Sequence, residues 1–184
     1  MLKKLKEKIE LKKAIRRIAI PHGRAFLPLD YLKSLDKDSR VQEIAYHISD
    51  YVLTKKDVEN PILLNGYSQG MQMLWTTWHL QGEVNNGGFC QYFDNNTNLY
   101  SSKVLKEYYE LTKDSFQLLR CDKIGNAFEE ARLLFYSAET DCITQENLNN
   151  SWNRLDCVYF DNEEEFLRRR AEYVEMNLSE FTVN

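Results

Sequence analysis

"SQGMQMLWTTWHLQGEVNNGGFCQYFDNNTN", residues 68–98, is the stretch on which the fold turns. Ser68 stands where it can cap a helix in which Met71, Leu74, Trp75 and Trp78 recur at helical spacing and share a face. Two glycines follow. A Gly pair after a helix supplies the left-handed backbone that ends it, and Asn85 or Asn86 tolerates that conformation better than most residues. Beyond the pair, Phe89, Tyr92 and Phe93 stand at i, i+3 and i+4, so one turn of a short second helix pushes three rings into the core. Cys90, amid these aromatics, is expected to act as a small buried hydrophobe.

The helical pattern extends in both directions. Upstream, Val41, Ile44, Ala45, Ile48 and Val52 give an amphipathic stripe from Ser39 to near Lys56. Downstream, Val104, Leu105, Tyr108, Leu111, Thr112 and Leu119 mark another helix. Asp122 is placed to cap the next, whose Ile124, Ala127, Phe128, Ala131, Leu134 and Phe135 form the cleanest stripe in the chain. Thr144 starts a fifth, burying Leu148, Trp152 and Leu155. After "VYFDN" at 158–162, Glu163, Glu164 and Glu165 fit the first turn of a last helix, where carboxylates meet the positive end of the dipole. Phe166, Leu167, the Arg170 stem, Ala171, Val174 and Leu178 form its inward face.

No segment alternates with period two, so the expected fold is all-α: a single compact domain of about six main helices plus the short one after the corner. Residues 1–28 read as a basic helical leader and linker, and residues 29–184 as the helical domain. With 184 residues, 43% of them hydrophobic, the chain can bury one core without disulfides or metal, and 7 glycines with 3 prolines are too few for a turn-rich β fold. Cys90, Cys121, Cys142 and Cys157 include no C-x-x-C pair and no histidine at zinc-ligand spacing, so they read as reduced structural thiols, with no metal and no cofactor expected. No window approaches the roughly 18 apolar residues of a membrane span, and the leader lacks the apolar run of a signal peptide. A cytoplasmic protein is the expectation.

The overall charge of −4 conceals an asymmetry. Residues 1–24 hold nine Lys/Arg against Glu7 and Glu10, a net +7, which leaves −11 on residues 25–184. The leader's apolar residues do not keep one face: Leu2, Leu5 and Ile9 cluster on one side, Leu11, Ile15 and Ile18 on nearly the opposite one. That pattern argues against membrane binding. The acidic body repels nucleic acid, whereas the leader is suited to an anionic surface, its own body included. The acidity peaks in residues 121–184, where fourteen Asp/Glu face six Lys/Arg. Asp161, Glu163, Glu164, Glu165, Glu172 and Glu175 are the candidate partner-binding residues, carboxylates able to steer a basic partner.

Glu83, Asn86, Gln91 and Asn95 exceed the polar groups a helix corner needs. With Trp75, Trp78, His79 and Tyr92 they form a candidate ligand site, because side-chain amides beside free N–H groups bind a carboxylate, a phosphate or a peptide backbone. The same groups can instead close an internal hydrogen-bond network. His79 and Glu83 share a helix face at i, i+4, but two such groups do not make a metal or acid–base site. The chain has no G-x-x-x-x-G-K-[ST] loop, H-E-x-x-H pair or G-x-S-x-G elbow, so no catalytic residue is assigned.

The motif resembles the DNA-mimic-protein-19-like family (domain of unknown function 4375). That family's pattern, E-V-x-N-G-G-F-x-Q-Y-F-x-N, is met by Glu83, Val84, Asn86, Gly87, Gly88, Phe89, Gln91, Tyr92, Phe93 and Asn95 or Asp94, with the likeness spanning about residues 40–178. The resemblance implies an all-helical, often homodimeric domain. Its namesake is an acidic bacterial protein that imitates the phosphates of DNA and occupies a transcription regulator's DNA-binding surface. The functional expectation is a non-enzymatic protein-binding module, with an acidic DNA mimic or antagonist of a DNA-binding regulator as its sharper form. The alternative is a small-ligand or enzymatic pocket within Trp75–Asn95.

Overall fold

The computed structural model of the chain describes residues 27–49, 67–138 and 144–182. The leader, the Val52–Lys56 end of the first expected helix and Cys142 lie outside these residues. Among the described residues there are six α-helices: α1 (Leu29–Lys33), α2 (Lys37–His47), α3 (Gln69–Leu99), α4 (Ser102–Leu118), α5 (Asp122–Ala138) and α6 (Gln145–Met176), with a 3₁₀ turn at Leu178–Glu180. The only strand-like pairing there is an isolated parallel bridge between Leu27 and Thr182. The domain is all-α. None of the described helices is long and apolar enough to cross a membrane.

Helix α3 is central, packing against α2, α4, α5 and α6. Phe89, Tyr92 and Phe93 are fully buried, as the i, i+3, i+4 spacing requires, and meet Tyr108, Tyr109, Phe116, Phe128, Tyr159 and Phe166 in an aromatic core. The rings meet edge-on: Tyr92 to Phe93 and Phe93 to Tyr109 at 5.2 Å, Phe89 to Tyr159 at 6.0 Å. Each such pair adds about 0.5–1.5 kcal/mol beyond the area it buries. Cys90 and Asp94 fall on the other side of the same helix and are exposed, so Cys90 is not a buried hydrophobe. One residue of helix turns a side chain through about 100°, enough to carry Cys90 off the Phe89 face.

Two of the three expected caps form, whereas Asp122 is the first residue within α5 and Cys121 takes the flanking position, its carbonyl accepting from the Gly125 N–H. The Ser68 hydroxyl accepts from the Met71 N–H at 3.2 Å and the Thr144 hydroxyl from the Asn147 N–H at 3.3 Å. Helix α2 starts before Ser39 because Asp36 caps it, accepting from the Ser39 N–H at 2.9 Å. Helix α4 ends in a Schellman turn, with Cys121 N–H bonded to Phe116 O and Arg120 N–H to Gln117 O; Arg120 there adopts φ 54°.

Two boundaries expected from sequence are missing. Helix α6 runs unbroken for 32 residues, so Glu163, Glu164 and Glu165 sit in mid-helix and not in a first turn. Asn162 donates to the Val158 carbonyl at 2.8 Å, one turn back along the same helix, and so does not act as a cap. Helix α3, likewise, does not end at the glycines.

Candidate functional site

Gly88 has φ 75° and ψ −176°, a region open only to glycine, whereas Gly87 at φ −164° is extended. The helix therefore kinks at the pair and continues for eleven residues, Phe89 to Leu99. Neither Asn85 nor Asn86 takes the left-handed backbone; among described residues Arg120 is the one non-glycine with positive φ. The kink frees the N–H of Phe89, and Asp156 of α6 accepts it at 2.9 Å. A Cβ on Gly88 would lie 2.2 Å from the other Asp156 oxygen. Gly88 thus admits both the backbone turn and the carboxylate. Burial pushes the Asp156 carboxyl up, outweighing the Phe89 N–H that favours its charged form.

The true start of α3 repeats the device. Glu180, beyond α6, accepts from the Gly70 N–H at 2.5 Å, its other oxygen accepts from the Tyr173 hydroxyl at 2.8 Å, and its carbonyl accepts from the Ser68 hydroxyl. A Cβ on Gly70 would stand 2.7 Å from Glu180 Oε2. Both halves of α3 therefore begin at a carboxylate supplied by the C-terminal region, where the dipole favours negative charge.

Three of the motif's four surplus polar groups, Glu83, Gln91 and Asn95, meet each other across the kink. Glu83 Oε2 accepts from Gln91 Nε2 at 2.9 Å and from Asn95 Nδ2 at 2.7 Å, joining the helix before the glycines to the helix after them. Glu83 Oε1 lies 3.7 Å from His79 Nε2, and His79 Nδ1 is 2.7 Å from the Tyr108 hydroxyl. A carboxylate facing Nε2 favours the tautomer with its proton there, so Nδ1 accepts from Tyr108. Burial holds the His79 pKa below the ordinary value, against the opposing pull of Glu83. Trp75 stacks on His79 at 6.1 Å, and Tyr92 completes the cluster at 6.0 Å.

The other two candidates stand apart. Asn86 is exposed. Trp78 meets Tyr46 edge-on at 5.6 Å and the Arg170 guanidinium at 5.5 Å. Arg170, expected to bury only its stem, is buried whole between the Trp78 and Phe166 rings. It donates from Nη2 to Gln81 at 2.6 Å, while Nε and Nη1 have no hydrogen-bond partner among the described residues. Burial lowers its pKa to about 10.

All six acidic candidates lie on α6, but in different states. Glu165 pairs with Arg169 and, at 3.8 Å, Arg168; Glu172 pairs with Arg168 at 2.6 Å and Glu175 with Lys37 at 2.6 Å. The hydrogen bonds from Arg169 and Lys37 hold Glu165 and Glu175 below the usual carboxylate range. Glu163 accepts from Asn85 at 3.0 Å. Asp161 and Glu164 are exposed and have no ion pair among the described residues. They flank a groove of about 760 Å³ between the start of α2 and α6, floored by Leu167 and Ala171. Among the described residues no group of three or more His, Cys, Asp or Glu could hold a metal ion.

The family model for DMP19-like proteins matches residues 65–177, which spans α3 through α6 and so contains the kink, its Asp156 cap and the acidic helix. The chain belongs to the DMP19-like family. In this DMP19-like chain α1 and α2 precede the matched region, which starts later than the likeness read from the motif. No curated protein and no solved structure matches it significantly.

Proposed function

We propose that the chain is a non-enzymatic binding module that presents the outer face of α6 to a basic surface on a protein partner. The observation that carries this reading is the pair Asp161 and Glu164, exposed beside a groove and free of ion pairs among the described residues, on a helix of a DMP19-like domain. Between Asp161 and Glu175 six carboxylates face three guanidiniums. That stretch is about 21 Å of helix, so its net charge averages one per ~7 Å, against one per ~1.7 Å along duplex DNA. The face imitates a short, dilute piece of DNA backbone, suited to a few basic side chains and not to a whole groove-binding surface.

The ligand-pocket reading has less support. Gln91 and Asn95 direct amide donors to Glu83, and the Tyr108 hydroxyl is engaged with His79, so the motif's polar groups brace the kink. Affinity capture from native cells tests the main reading. A basic DNA-binding protein should be retained at low salt and lost near 0.5 M, and the Asp161→Asn/Glu164→Gln variant should retain several-fold less. Capture unaffected by salt and by that variant would refute it.

A further inference from the structure

We propose that the basic leader, residues 1–24, docks in the groove between α2 and α6 and occupies the chain's own acidic surface. The groove is lined by Asp38, Asp161, Glu164, Glu165 and Glu172 against Lys37 and Arg168, with Leu167 and Ala171 as its apolar floor. Lys37 and Arg168 are already taken by Glu175 and Glu172, while Asp38, Asp161 and Glu164 have no ion pair among the described residues. Three carboxylates in a concave, partly apolar channel call for a cationic segment with aliphatic stems. The leader supplies Lys3, Lys4, Lys6, Lys8, Lys12, Lys13, Arg16 and Arg17 interleaved with leucine and isoleucine.

The attachment point puts it within reach. Leu27 is buried and bridges Thr182, so the leader joins the domain at the C-terminal end of α6. From Met176 back to Glu164 is about 18 Å of helix, whereas 26 residues span about 39 Å as a helix and more when extended. A short tether gives an effective concentration of about 1 mM, so a local affinity of about 0.1 mM already fills the groove in most molecules. A surface attraction too weak to hold a free peptide thus suffices in cis. If the acidic face is the partner surface, the leader is its built-in competitor, and a partner must displace it.

Zero-length carbodiimide coupling of the full chain at low salt, followed by peptide mass spectrometry, tests the docking without any partner. Leader lysines should form amide links to Asp38, Asp161 or Glu164, and the yield should collapse near 0.5 M salt. Mixing isotope-labelled with unlabelled chain separates links within a copy from links between copies. Leader links made only to other carboxylates, or only between copies, overturn the proposal. In the Asp161→Lys/Glu164→Lys variant the yield at Asp38 should fall several-fold, with helicity by circular dichroism as the folding control; an undiminished yield overturns it. Should that variant misfold, the isotope-mixing result decides alone. Docking that fails while the basic partner is still captured sinks only this inference; docking that stands while no basic partner is captured sinks only the binding reading.

Discussion

Replacing Gly88 with alanine puts the architecture of the kink to a direct test. Two costs add. Alanine must adopt a backbone region that is essentially glycine's own, at about 1–3 kcal/mol. Its Cβ would also stand 2.2 Å from Asp156 Oδ2, so the carboxylate must withdraw from the Phe89 N–H. Because burial already disfavours the charged Asp156, that hydrogen bond counts as an ordinary one, about 1 kcal/mol. The sum, about 2–4 kcal/mol, is a large part of the ~5–15 kcal/mol that holds a domain folded. Urea unfolding followed at 222 nm should show the midpoint falling by roughly 1–2 M at an unchanged slope. Gly87→Ala is the matched control: its Cβ meets the end of the flexible Gln91 side chain, and its backbone is open to any residue, so it should cost about 1 kcal/mol. Adding Asp156→Ala to Gly88→Ala should remove the clash and give a combined loss smaller than the sum of the two. Gly88→Ala within about 0.5 kcal/mol of wild type, or no worse than Gly87→Ala, would refute the reasoning.

Gly82, on the exposed face of α3 with open space where a Cβ would go, should gain about 0.5–1 kcal/mol as alanine, read by the same urea titration. Glu83→Ala strands the donors of Gln91 and Asn95 and should cost about 2 kcal/mol; a loss under ~0.5 kcal/mol would mean the network braces nothing. The lowered His79 pKa means the unfolded chain binds the extra proton first. This group's contribution is therefore present above pH ~6.5 and lost as pH falls through the depressed folded value. A urea midpoint that drops on acidification from pH 7.5 should flatten in His79→Gln, with the facing Glu83, Tyr92 and Tyr108 left in place. Neutralising Asp161 and Glu164 together should leave the melting temperature within about 2 °C while weakening partner capture, since exposed charges with no ion pair among the described residues contribute little to folding.

What could be read in the sequence was what depends on near neighbours. The Ser68 and Thr144 caps bond to N–H groups three residues on, and the rings of Phe89, Tyr92 and Phe93 share a face by helical geometry alone. The all-α class followed from such local patterns. What could not be read was supplied from afar. Asp156 sits in "NRLDCVYFD" with no local mark of its role, because its partner, the Phe89 N–H, is 67 residues away. Glu180 is more remote still, 110 residues from Gly70. The break expected before Glu163 rested on three glutamates suited to a first turn, yet with no glycine or proline nearby the helix runs on through Asp161 and Asn162, although these residue types favour turns. The polar surplus of the corner was visible, but whether it faced a ligand or itself depended on the kink angle, which no spacing rule supplies.

The remote cap also bears on the order of assembly. A helix begun by a serine three residues away can form by itself, whereas the half of α3 after the glycines has its first N–H satisfied only once α6 has docked. Closing that longer loop costs roughly 3 kcal/mol more entropy than a local cap. The Phe89–Leu99 segment should therefore consolidate late, with substitutions at Gly88 and Asp156 speeding unfolding and scarcely slowing folding. The aromatic core is then closed last from its centre, and the corner works as the latch of the fold and not as its seed.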